Sequence, residues 1–157
     1  MEFWRYARLV VPGLVIGVAV AGCATVNDIA LRLFSSKVPA YAIVNTQLLQ
    51  GDMVLLPDRT GNLALTGGQG AISSCSGQVR YGSTTAGTVD LHCNEGTALT
   101  LRYSLLGETR GYAYGAAAGG APASLTFGLP TAQAVAYLTV PAGKKLVVNE
   151  GGSLELQ

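Results

Sequence analysis

The chain has 157 residues, of which 12% are charged and 49% hydrophobic, with 21 glycines. So few charges among so many apolar residues exclude a disordered acidic or basic tail. A formal net charge of +1 leaves no electrostatic footprint for nucleic acid and no polybasic patch for anionic lipid.

The amino terminus opens with Arg5 and Arg8, followed by the uncharged run Leu9–Val20 and then Ala21, Gly22 and Cys23. A basic start, about a dozen apolar residues and small residues at the cut form a secretory signal. Val20-Ala21-Gly22-Cys23 resembles the lipobox of bacterial lipoproteins, with Val where Leu is commoner. The resemblance implies cleavage before Cys23, acylation of that cysteine and a stable anchor of more than one lipid chain. Ala24 stands where that family's inner-membrane retention signal has Asp, which implies delivery to the periplasmic side of the outer membrane. The alternative is a retained single span, because Leu9–Val26 is uncharged over 18 residues, close to the shortest spanning helix. Removing residues 1–22 takes Arg5, Arg8 and Glu2 from ten basic and nine acidic side chains and leaves eight of each.

Residues 23–39 read as a lipidated tether or a short helix. Asn27 or Asp28 would cap a helix over Ile29–Phe34, and Pro39 would stop it. The stretch is too apolar for a free linker, so Leu31, Leu33 or Phe34 is expected to pack on something.

Residues 40–157 read as a single all-β domain, a mostly antiparallel small sandwich or barrel with at most one or two short helices. Short apolar runs alternate with Gly, Pro, Asn and Asp at close spacing. The expected strands are Ala40–Val44, Met53–Leu56, Asn62–Leu65, Ser76–Tyr81, Thr88–Cys93, Ala98–Leu105, Tyr112–Tyr114, Ser124–Leu129, Lys145–Val148 and Leu154–Leu156, and Thr131–Leu138 is the one candidate helix. Leu99, Leu101, Tyr103 and Leu105 alternate with Thr100, Arg102 and Ser104, as a half-buried antiparallel strand requires. Asp58-Arg59-Thr60-Gly61 and Asn94-Glu95-Gly96 read as turns.

Cys75 and Cys93 have 17 residues between them. Pairing Cys75–Tyr81 with Gly87–Cys93 so that residue numbers sum to 168 sets Val79 against Val89, Gly77 against Leu91 and Cys75 against Cys93. Both apolar faces then coincide, and a one-residue slip would turn one of them outward. Directly opposed residues in a non-hydrogen-bonded pair stand about 4.5 Å apart, which suits a disulfide. A metal pair or a redox couple is the competing use of these cysteines, but His92 points away from Cys93 and the C-x-x-C spacing is missing. In the same manner, a sum of 302 sets Val148 against Leu154 and Leu146 against Leu156, with Glu150-Gly151-Gly152 as the loop.

No cofactor or metal is implied. The single histidine, His92, would share an outer strand face with Asp90 and lie across from Ser76. That is a Ser-His-Asp set on paper, without an oxyanion hole, and the plainer reading is a solvated face with Asp90 pairing Arg80. The eight acids of the exported part lie in no recognisable setting for glycosidic or metal chemistry. Thr66–Gly70 lacks the Lys and Ser/Thr of a phosphate loop. Gly111–Ala121 is the unusual stretch: glycine-rich, uncharged, with Tyr112 and Tyr114 on one side of a short strand. Aromatic residues of this kind are enriched at interfaces, and a tight barrel corner or loose loop is the alternative.

The run from Cys75 to Gly96 reads C-x-G and then G-x-V-x-L-x-C-x-x-G. With the later GYAYG and LTFGL, over roughly residues 51–138, it resembles a set of small uncharacterised lipoproteins of proteobacteria, a resemblance that implies no activity. The expectation is a non-catalytic envelope lipoprotein that binds or supports another envelope protein or a second copy of itself. A small periplasmic hydrolase using the His92 face, or a small-ligand carrier with a hollow interior, are the alternatives.

Overall fold

The computed structural model describes residues 33–67 and 70–157. The leader 1–22, Cys23, and the tether as far as Arg32, including the caps Asn27 and Asp28, lie outside the described residues. Residues 36–157 form a unit of their own, separate from residues 1–35. Leu33 and Phe34, expected to pack, are 75% and 74% exposed.

Eight antiparallel strands follow one another round a closed barrel: β1 (Ser36–Val44), β2 (Gln47–Leu55), β3 (Thr60–Gly67), β4 (Ser74–Tyr81), β5 (Ala86–Cys93), β6 (Ala98–Gly107), β7 (Arg110–Ala116) and β8 (Pro122–Phe127). Closure comes from β8 returning to β1, with Ala40 opposite Phe127 and Ile43 opposite Ser124. The choice between sandwich and barrel is thereby settled, and no strand edge is left open among these eight. Pro39 does not stop a helix; it lies inside β1, opposite Asp52. Proline is tolerated there because the β1–β8 ladder ends at this point, with the Gly128 amide donating to the Pro39 carbonyl at 2.8 Å.

Alternation sorts the side chains. Leu49 and Met53 of β2, Leu63 and Leu65 of β3, Val89 and Leu91 of β5, Leu99 and Leu101 of β6 and Leu125 of β8 fill the interior. Asn62, Gln78, Thr88, Asp90, His92, Thr100 and Arg102 point outward from the middle strands. Polar outside and apolar inside is the reverse of a lipid-embedded barrel.

The two ends of the interior are closed differently. At the end where β1 begins, Tyr103 stands edge-on to Tyr81 (5.6 Å between ring centroids) and to Phe127 (6.0 Å). Gly87 lies between Tyr81 and Tyr103 across the sheet. A Cβ on Gly87 would stand 2.6 Å from the Tyr103 hydroxyl, and one on Gly111 would stand 2.8 Å from the Phe127 ring. Glycine at these two positions is therefore what admits the rings. At the opposite end, Cys75 and Cys93 face each other in the expected register and are bridged, with Cα atoms 4.0 Å apart. Ile72 of the β3–β4 loop is buried beside them. It is held by its amide donating to Gln47 Oε1 (2.9 Å) and by Asn94 Oδ1, which accepts from the Ser73 and Ser74 amides (2.9 and 3.1 Å).

Beyond β8 the chain wraps the outside. It forms α1 (Thr131–Ala134), a 3₁₀ turn (Val135–Tyr137) and the hairpin β9 (Leu146–Val148) and β10 (Leu154–Leu156). The hairpin has the expected register, Val148 to Leu154 and Leu146 to Leu156, with Gly152 at φ +79° in its loop. The candidate helix Thr131–Leu138 is shorter than expected and tightens to 3₁₀ at Val135. Leu129, Ala134, Leu138 and Leu154 cover Ile43, which faces outward from β1. Polar contacts fix the wrap: Tyr41 Oη with Thr131 Oγ1 (3.1 Å), Gln50 Nε2 donating to the Leu154 carbonyl (2.9 Å), and the Thr139 amide donating to Ser124 Oγ (2.9 Å).

Two expected outcomes follow from the closed ends. Replacing both Cys75 and Cys93 by Ala should lower stability in urea unfolding by about 2–5 kcal/mol, and non-reducing peptide mapping should recover the two cysteines linked. Free thiol at both positions would contradict the bridge. The Tyr103 hydroxyl is buried without a hydrogen-bond partner among the described residues, and burial pushes its phenol up from 10.0 to about 12. The stability due to the neutral ring is complete below pH ~10 and is lost as pH rises towards ~12, because only the unfolded chain releases that proton easily. Tyr103→Phe should flatten this alkaline decline and leave neutral-pH stability unchanged or raised by up to about 1 kcal/mol. A marked loss at pH 7 would reveal a partner for the hydroxyl.

Candidate functional site

Two outward surfaces carry the residues singled out from the sequence. The first is the wall of β3–β6. Ser76 lies opposite His92 and Gln78 opposite Asp90, as the register requires. The Asp90 carboxylate is already engaged: it accepts from Thr100 Oγ1 at 2.7 Å and stands 3.7 Å from Arg80 Nε. No hydrogen bond joins His92 to Asp90 or to Ser76 among the described residues. The side chains line a broad, open groove of about 760 Å³ with Asn62, Gln78 and Thr100 along its walls. Ser76, His92 and Asp90 thus share a surface but are not wired as a nucleophile, base and orienting acid, which needs each to hydrogen-bond the next. No three His, Cys, Asp or Glu side chains converge in a way that could hold a metal ion among the described residues.

The second surface is the wall of β7. Tyr112 and Tyr114 both point outward, with ring centroids 5.4 Å apart and planes tilted by 48°. Tyr112 is half-buried because Tyr137, from the 3₁₀ turn of the wrap, stacks on it at 4.9 Å and 17°. Tyr114, at the end of this row of three, is 43% exposed. Its phenol is raised above the ordinary value by burial first, then by the neighbouring Tyr112 and Tyr137. Across the sheet, Tyr114 is flanked by Arg102 and Ser124, and Tyr112 by Ser104 and Thr126. The sequence run from Gly111 to Leu138 that supplies β7, β8 and Tyr137 contains no charged residue.

Of the residues marked from the sequence, Cys75 and Cys93 are buried and bridged, Tyr112 and Tyr114 share a face, and Cys23 lies outside the described residues. Tyr137 was missed. Its only signal is a tyrosine in the alanine-rich stretch TAQAVAYL, which shows no periodicity to say which face it takes. No protein-family model, curated protein or solved structure matches the chain.

The row of rings divides into a supported and a free member. Tyr114→Ser should change stability by less than about 0.5 kcal/mol, whereas Tyr112→Ser removes the stack on Tyr137 and should cost about 1–2 kcal/mol. Urea unfolding of the two variants checks this. Equal costs would mean that Tyr114 belongs to the same packed layer as Tyr112.

Proposed function

We propose that this chain is an exported envelope lipoprotein, anchored by acyl chains on Cys23 at the periplasmic side of the outer membrane. Its barrel is a non-catalytic docking module that binds another envelope protein through the β7 wall. The observation that carries the docking reading is the row Tyr114–Tyr112–Tyr137: an exposed ring backed by a stacked, half-buried pair on a face built from an uncharged stretch. Rings held in place lose little conformational freedom on binding, and aromatic anchors concentrate binding energy. The anchoring reading is supported by Arg5 and Arg8, the apolar run and the Val20–Cys23 box. The Cys75–Cys93 bridge fits an oxidising compartment.

The hydrolase alternative draws on the His92 groove and is weakened by the engagement of Asp90 with Thr100 and Arg80. The carrier alternative needs a hollow interior, whereas the barrel's inward positions are occupied by buried side chains from both closed ends. Anchoring and docking are tested in the same cells. Intact mass should match residues 23–157 plus acyl chains, and an unmodified full-length mass would favour the retained span. A photo-crosslinker at position 114 should capture a discrete adduct that one at position 78, in the His92 groove, does not. Adducts at position 78 only, together with loss of cellular function in a folded His92→Ala variant, would make the hydrolase the better reading.

A further inference from the structure

β6 contains one residue more than its partner requires. Leu105 faces Gly111 and Gly107 faces Arg110, so Leu106 between them has no opposite number. A bulge of this kind re-aims a side chain at a barrel rim, and Leu106 is 43% exposed as a result. The rim it occupies is the one where β1 begins at Ser36. The same rim carries cationic side chains from three elements: Lys37 at the start of β1, Arg59 in the β2–β3 turn and Arg110 at the start of β7. Lys37 is paired with Asp52 at 3.0 Å. Besides Asp52, the acids of the same rim are Glu108 and Asp58, and Asp58 is turned onto Thr60, accepting from its amide (3.0 Å) and hydroxyl (2.6 Å). Gly107 leaves room for Arg110, whose Nε would stand 2.8 Å from a Cβ at that position. At the opposite rim, the turns Asn45-Thr46, Asn94–Thr97 and Ala117–Ala121 carry no exposed large apolar side chain among the described residues.

We infer that the Ser36 rim of the barrel lies against the bilayer surface, with Leu106 inserted among the lipid headgroups and Arg59 and Arg110 at the phosphate level. This rests on the anchoring reading. An exposed leucine on a rim that also carries arginines has the composition of an interfacial contact, the apolar stem entering and the charged heads staying in the polar layer. Twelve residues separate Cys23 from Ser36, a reach of at most about 40 Å. A nine-residue strand such as β1 is about 30 Å long. A barrel turned end over would spend most of the tether running along its own wall, so the short tether and the bulge favour the same face. The disulfide end then looks away from the membrane, and the Tyr114 wall stands beside it, open to a neighbour.

The test uses the full acylated chain, extracted and reconstituted into vesicles of phosphatidylethanolamine and phosphatidylglycerol containing a doxyl-labelled phospholipid. With Cys23 acylated and Cys75 bridged to Cys93, a new cysteine is the sole free thiol. Leu106→Cys and Glu95→Cys are labelled separately with an environment-sensitive fluorophore, Glu95 being exposed on the opposite rim. The probe at position 106 should be quenched about two- to fivefold more than the probe at 95. Glu108→Cys, in the adjoining turn, gives the same reading should the first variant fold poorly. Equal quenching, or stronger quenching at 95, in protein that sediments with the vesicles overturns the orientation and leaves the anchor standing. Protein that does not sediment with the vesicles overturns the anchor and the orientation together.

Discussion

Eight strands closed on themselves enclose a space only wide enough for their own side chains, and the rest of this structure answers to that limit. Where Tyr103 and Phe127 enter the interior, a neighbouring strand gives way. Gly87 lies between Tyr81 and Tyr103, and Gly111 lies beside Phe127. The aromatic trio at one end and the disulfide with Ile72 at the other leave the interior as packing, so any recognition falls to the outer wall and the rims.

Local pairing was legible because period-two alternation and turn chemistry report it directly. The Cys75–Cys93 hairpin could be set to a single register because a slip would expose Val79 or Leu91, and the terminal hairpin was fixed by Gly152 in the same way. What escaped depended on contacts distant in sequence or on unusual turns. β2 was expected only from Met53, because Asn45-Thr46 is not an obvious hairpin turn. Both residues take positive φ, +47° and +69°, a conformation that suits Asn45 but in which Gly is the usual occupant of the second position, held here by Thr46. Gly51 and Asp52, residue types common in turns, lie mid-strand. Closure of β1 onto β8 left no local mark, and neither did the burial of Ile43 and Tyr41 under the wrap. A strand that is apolar on both faces does not say what covers its second face. The same reason hid Tyr137, and with it the support that distinguishes Tyr112 from Tyr114.

The outer wall is divided by the wrap. On β3–β6 it is polar and open, with Arg80, Asp90 and Thr100 satisfying one another. On β1, β2 and β8 residues 128–157 cover part of it, packing on Tyr41, Ile43 and Leu48 and hydrogen-bonding Gln50 and Ser124. The β7 wall lies at the border between the two, where an aromatic row emerges from under the cover with one ring free. A surface of this kind combines rigidity, which comes from the covered side, with access, which comes from the open side, and rigid aromatic area is what an interface uses at low entropic cost.

Closure of the barrel by its first and eighth strands also constrains how the chain can be made. Every other pairing in the barrel joins neighbours in sequence, but β1 must wait for a partner more than eighty residues downstream. Until Phe127 has been delivered, β1 and the latest strand in place each present a bare ladder of amides and carbonyls, the template on which strands of other chains add. Such long-range closure is slow in comparison with hairpin formation. A nascent or truncated chain ending anywhere before β8 is therefore an open ribbon with two adhesive margins.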